Sequence, residues 1–258
     1  MQKLKIGVVG CGHWGKNLVR NFSDLGALQY VCDTNVAHSQ EIAKKYNVGS
    51  KTIAELLKTD IDGVVIATPA EEHYIIAKAC LQKGKHVFVE KPLSLKVSEA
   101  KELYKLSKKK KKVLMVGHLL QYHSAFSKLK KMVSEGKLGK LNYIYSNRLN
   151  LGKFRNEENI LWSFAPHDIS MILGLADDLP ETVYATGVSH LNQDIHDVTT
   201  THLKFKNGLQ AHVFVSWLHP FKEQKLIVVG DKSMAVFDDG LSWGDKLKIY
   251  PHKVNWIN

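Results

Sequence analysis

The sequence predicts an α/β chain in two parts. A doubly wound parallel sheet comes first, and an α+β part with a large, mostly antiparallel sheet follows. Three observations predict this. Short apolar strands alternate with helical stretches as far as residue 118. Strand-length runs joined by turns dominate the remainder. A glycine-rich turn, Gly10-Cys11-Gly12-His13-Trp14-Gly15, stands where the first strand gives way to the first helix.

The elements follow in order. Residues 5–9 form a short apolar strand, and Trp14, Leu18, Val19 and Phe22 then recur at helical spacing. Residues 28–32 read as a second strand, and 41–46 and 53–57 as helices. Residues 63–67 are almost wholly apolar, as a parallel strand covered on both faces should be. Ile76, Ala79 and Cys80 mark a helix, residues 86–89 a strand, Ala100, Leu103 and Tyr104 a helix, and residues 113–116 a strand.

The pattern changes near Gly117. Phe126, Leu129, Met132 and Val133 share one helix face, residues 142–147 alternate, and residues 169–175 look helical. Strands at 183–188, 199–205, 210–217, 225–229, 234–237 and 246–250 follow, with Asn207-Gly208 as a hairpin turn. The expected domains are 1–118 and 119–258. No linker separates them, and no stop signal closes residues 254–258, so the second domain is expected to be truncated at its C-terminus.

Composition excludes several classes. Of 258 residues, 44% are hydrophobic and 24% charged, which suits a soluble globular chain. No apolar run approaches the roughly 18 residues of a membrane helix. The basic, then apolar, N-terminus runs into the glycine turn and reads as a strand, not a signal peptide. Cys11, Cys32 and Cys80 give neither a disulfide framework nor metal-ligand spacing, so buried thiols in a reducing cytoplasm and no metal are expected. The net charge of +11 suits nucleic acid or an anionic small molecule. Its densest run, residues 108–112, ends a predicted helix, where lysines complement the dipole. No zinc-finger spacing or aromatic RNA motif accompanies it, so an anionic substrate is favoured, with no nucleic-acid or membrane partner.

Gly10, Gly12 and Gly15 fit a dinucleotide fingerprint in its proper place, after a strand and opening a helix. The first allows the tight turn, the second lets backbone approach a pyrophosphate, and the third lets helix and strand pack closely. The helix N-terminus then offers N–H groups to the phosphates. Asp33, 18 residues past Gly15 at the end of the second strand, suits hydrogen bonds to the adenosine ribose. A carboxylate there repels a 2′-phosphate, which favours NAD over NADP. As alternatives, the glycines could form a plain turn and Asp33 could cap one. Ala67-Thr68-Pro69 and Glu90-Lys91-Pro92 follow later strands at the same carboxyl edge.

With the His167-Asp168 pair, these motifs resemble the Gfo/Idh/MocA oxidoreductases along the whole chain. The resemblance implies a Rossmann domain, NAD, and a dehydrogenase acting on CH–OH groups. It implies that Lys91 reaches the nicotinamide ribose and the substrate hydroxyl, and that His167 is the general base. Cofactor contacts would extend to His13, Trp14, Thr34, Thr68, Pro69, His73, Glu90, Gln121 and Trp162. The family often carries an acid four residues before the histidine. Ser163 stands there instead, leaving Lys91 and His167 as the catalytic pair. Read locally, Ser163 can cap a helix that tolerates Pro166 in its first turn, which would put His167 near the positive end of the dipole.

Trp162-Ser163-Phe164-Ala165-Pro166-His167-Asp168-Ile169 and residues 147–152 look most like the nucleotide-sugar branch, whose members include UDP-N-acetylglucosaminuronate 3-dehydrogenases. On that resemblance Arg148 and Arg155 would hold a carboxylate or diphosphate. Tyr122, Asn150, Asn159 and Ser163 would line the sugar site, and the C-terminal sheet would form a homo-oligomer. The competing expectations are a free-sugar or inositol dehydrogenase, a non-catalytic NAD-binding regulator and a basic nucleic-acid-binding protein.

Overall fold

The computed structural model describes residues 3–152, 154 and 158–252. They form two compact units, Met1–Gly117 and His118–Asn258.

The first unit runs β1 (Ile6–Val9), α1 (Gly15–Asp24), β2 (Leu28–Cys32), α2 (Val36–Tyr46), β3 (Gly49–Ser50), α3 (Ile53–Leu56), β4 (Gly63–Ile66), α4 (Ala70–Gln82), β5 (His86–Val89), α5 (Val97–Lys110) and β6 (Leu114–Val116). Its six strands lie in the order β3-β2-β1-β4-β5-β6, all parallel. β1 and β4 are buried throughout, which explains their unbroken apolar sequences. The chain moves outward from β1 to β3, then returns to lay β4 on the other side of β1. This reversal opens a crevice at the carboxyl ends of β1 and β4, where such sheets bind ligands. α2 starts five residues before its apolar signal because the Asn35 side chain accepts from the His38 N–H at 3.0 Å and caps it.

The second unit opens with a 3-10 turn (Leu119–Tyr122) and α6 (Ser124–Ser134), then β7 (Leu141–Leu149) and α7 (Ile160–Ala176). β8 (Thr182–Val188), β9 (Val198–Lys204), β10 (Gln210–Ser216), β11 (Glu223–Gly230), β12 (Ser233–Asp238) and β13 (Leu247–Pro251) follow. The sheet order is β13-β12-β11-β7-β10-β9-β8. Every pair is antiparallel except β7 with β10, because β7 is inserted between strands that come much later in the chain. One face carries Ile144, Val213, Val215, Leu226, Val228 and Phe237 into a core with Phe126 and Leu129 of α6 and Ile160, Ala165, Met171 and Ile172 of α7. On the other face Tyr145, His212 and His202 stand in cross-strand register. The Tyr145 and His212 rings stack at 5.3 Å, and His202 lies 5.9 Å from His212. Burial, with His202 beside it, pushes the His212 pKa down.

α7 begins earlier than its sequence pattern suggests. Asn159, not Ser163, is the cap, its Oδ1 accepting from the Trp162 N–H at 3.1 Å. Ser163 and Pro166 therefore lie inside the helix. His167 falls in its third turn, beyond the first-turn reach of the dipole.

Candidate active site

The glycine turn is built around absent side chains. Gly10 has φ of +88°, and a Cβ there would meet the Ala67 carbonyl group at 2.7 Å. A Cβ on Gly15 would run into the Gly10 carbonyl oxygen. A Cβ on Gly12 would meet nothing within 4 Å, so the turn faces open space there. No side chain caps α1 at Trp14; the Lys16 and Asn17 N–H groups turn back to the Gly12 and Trp14 carbonyl oxygens at 3.1 and 2.9 Å.

Asp33 is aimed at this turn. Its Oδ2 accepts from the Cys11 N–H at 2.8 Å and its Oδ1 from the Asn35 N–H at 2.9 Å. The carboxylate is thus fixed beside the turn with acceptor capacity left over. Thr34 is exposed next to it, and His13 is exposed on the turn. His38 places its ring Nε2 3.1 Å from the Cys11 carbonyl oxygen. The Thr68 Oγ1, in the turn after β4, is buried with no hydrogen-bond partner among the described residues. A Gly12 wall open to solvent, a pinned acid and an orphaned hydroxyl at one carboxyl edge fit a bound dinucleotide.

His73, expected among the cofactor contacts, is buried. It is 1% exposed, with Nδ1 2.7 Å from the Pro92 carbonyl oxygen and Nε2 2.9 Å from that of Thr68. Both ring nitrogens lie against backbone carbonyl oxygens, so His73 braces the turns after β4 and β5. Its burial follows from its helix face, shared with Ile76, Ala77 and Cys80.

At the end of β5, the half-buried Glu90 accepts from the Trp14 Nε1–H at 2.7 Å. Burial raises the Glu90 pKa, opposed by hydrogen bonds from Trp14 and from the Lys91 backbone. The half-buried Lys91 follows, joined to Pro92 by a cis peptide.

In the second unit His167 is half-buried on α7, and its neighbour Asp168 is fully buried. Arg148, expected at the substrate, instead turns inward and is 6% exposed. Its Nε and Nη2 donate to the Asp168 carboxylate at 2.6 and 3.3 Å, and the Ser146 hydroxyl donates to the same group. Arg148 is therefore corrected from anion holder to core ion pair. Ser163 is buried, Trp162 and Tyr122 are exposed, and Asn150 donates its backbone N–H to the Ser216 carbonyl. Gln121, expected at the cofactor, gives its Nε2–H to the Ser170 carbonyl at 2.5 Å and lies against Gly174 of α7. Arg155 lies outside the described residues. Sequence reasoning missed Ser146, the partners of Asp168, and the Trp14–Glu90 bond. The period-2 pattern Ile144, Ser146, Arg148 was the available signal for the first two.

Among the described residues no three His, Cys, Asp or Glu side chains cluster as metal ligands would, and no helix is long and apolar enough to cross a membrane.

A parallel sheet whose switch point is shaped in this way defines a class, the dinucleotide-binding proteins with a Rossmann domain. Comparison with known proteins narrows it. Residues 4–118 match the Gfo/Idh/MocA oxidoreductase family with NAD-binding Rossmann fold, and residues 126–236 match the Gfo/Idh/MocA C-terminal domain. The chain belongs to the Gfo/Idh/MocA family of NAD-binding oxidoreductases.

Among its relatives is UDP-N-acetylglucosamine 3-dehydrogenase of Acidithiobacillus ferrooxidans, 28% identical over 84% of this chain and 68% of the relative. The solved structure of that enzyme superposes with a TM-score of 0.88 at 26% identity, covering 98% of this chain and 81% of the other. Myo-inositol 2-dehydrogenase of Thermotoga maritima is 27% identical over 80% of this chain and 66% of the relative.

Proposed function

We propose that the substrate is a UDP-sugar, or its uronate, oxidised at C3, and that Lys91 and His167 carry the chemistry. The observation that carries this reading is the likeness, along most of the chain, to a UDP-N-acetylglucosamine 3-dehydrogenase. A secondary alcohol loses hydride readily only as its proton leaves. NAD, when bound, supplies the hydride acceptor. His167 takes the proton from the hydroxyl oxygen as the carbonyl forms. Lys91, charged, orients that hydroxyl and stabilises negative charge developing on its oxygen.

With Arg148 held by Asp168, the basic net charge and Arg155 remain as support for an anionic substrate. Asp33 favours NAD over NADP by repelling a 2′-phosphate. The exposed Tyr143 and Tyr184, on the sheet face that carries Tyr145 and His202, support a homo-oligomer formed through this sheet. A cytoplasmic location completes the proposal; it is supported by three buried thiols without disulfides.

The inositol relative favours a second reading, a free-polyol dehydrogenase with the same two catalytic residues. A nicotinamide-absorbance assay separates the two. The panel is UDP-N-acetylglucosamine, its uronate, free N-acetylglucosamine and myo-inositol. The UDP-sugars should be turned over far faster than the free compounds. Preference for inositol would leave the family and remove the nucleotide-sugar assignment.

A further inference from the structure

Glu90 and Lys91 are adjacent, but the surroundings of Glu90 give it a separate task. Three parts of the carboxyl edge of the first unit's sheet meet at its carboxylate. Trp14, inside the glycine turn, donates its indole N–H to Oε1 at 2.7 Å. Lys91, the next residue, lies beside the same carboxylate and helps hold its charge. Gly117, just past β6, leaves the space it fills, since a Cβ there would sit 3.0 Å from all three carboxyl atoms.

We infer that Glu90 is a positioning residue: through Trp14 it latches the glycine turn to the end of β5, so that the pyrophosphate-binding backbone and Lys91 share one fixed frame. Trp14 is 45% exposed, so burial alone does not order its ring. The bond from its N–H runs to a charged acceptor and is of the strong, directional kind. Asp33 anchors the start of the turn at the Cys11 N–H, and the Trp14 bond is the side-chain tie at its other end, where no side chain caps α1. A carboxylate kept half-buried against its desolvation, with the indole N–H aimed at it, is the arrangement expected of a group retained for function.

The inference rests on NAD binding by this domain and is independent of which sugar is oxidised. Calorimetric titration of NAD into the full chain tests it, with the parent, W14F, E90A, the W14F/E90A double variant and E90Q. Each single variant should weaken NAD by about tenfold, the loss of one charge-assisted hydrogen bond. The double variant should bind no more weakly than the weaker single, because both changes open the same latch. E90Q, whose neutral amide oxygen still accepts from the indole, should bind NAD more tightly than E90A and less tightly than the parent. NAD affinity of E90A within about twofold of the parent would overturn the latch, as would losses for W14F and E90A that simply add. A parent chain that fails to bind NAD would overturn the cofactor assignment and the latch together.

Discussion

Replacing Asp168 by alanine removes the counter-charge of Arg148. Asp168 is 0% exposed and Arg148 6%, so water cannot take the place of the lost carboxylate. Two guanidinium N–H groups would lose acceptors at 2.6 and 3.3 Å. Ser146 would not be orphaned, because its hydroxyl also lies 3.0 Å from the Lys225 carbonyl oxygen. Removing one partner of a buried pair costs about 3–5 kcal/mol. A domain holds only about 5–15 kcal/mol in total. With a urea slope of about 2 kcal/mol per molar, the unfolding midpoint of Asp168→Ala should drop by roughly 2 M. The double variant Arg148→Met/Asp168→Leu exchanges the pair for apolar side chains and should recover most of that loss. Urea unfolding of the full chain, followed by tryptophan fluorescence, reads both variants. A loss below about 1 kcal/mol for Asp168→Ala is what a solvated surface pair would give. That result would refute the core role assigned to Arg148.

Further outcomes follow from other sites. Asp33→Ser should shift the ratio of NADP to NAD affinity toward NADP by about tenfold, the scale of one hydrogen bond to a charged group; an unchanged ratio, read by calorimetry, would remove Asp33 as the selector. Burial pushes Cys11 up to about 12, Cys32 to about 11 and Cys80 to about 12. No thiol should therefore react quickly with a disulfide reagent at pH 8 until the chain unfolds, and one fast-reacting equivalent in the native protein would contradict this. The His212 pKa is lowered by burial and by His202, so the unfolded chain binds its proton more readily than the folded one. Stability should fall as pH drops through the ordinary histidine value of 6.5, and His212→Phe should flatten that slope; an identical slope in the variant would exclude His212 as a source.

Much of the first unit was legible because its signals are local. Apolar runs fix β1 and β4, and the glycine spacing fixes the turn between β1 and α1. The two-residue β3 carries no period and was invisible. Asn35 and Asn159 show why helix starts were misjudged. A cap is one residue, and an earlier asparagine outweighed the later apolar periodicity of α2 and the serine of α7. Arg148 reads as a holder of a substrate anion when the strand is ended at residue 147. Extending β7 by two residues puts Arg148 on the inward face with Ile144. The Trp14–Glu90 bond joins residues 76 apart in the chain, and no local pattern encodes it.

His167 is proposed as the base in an NAD-dependent oxidation of a UDP-sugar. The most direct measurement is the rate of NADH formation from UDP-N-acetylglucosamine and its uronate at saturating NAD, for the parent and for His167→Ala. The account predicts a fall of about 100- to 10,000-fold, the usual cost of removing a general base, with NAD affinity nearly unchanged. Turnover by His167→Ala near the parent rate would contradict it, and Lys91 or a bound water would become the better base.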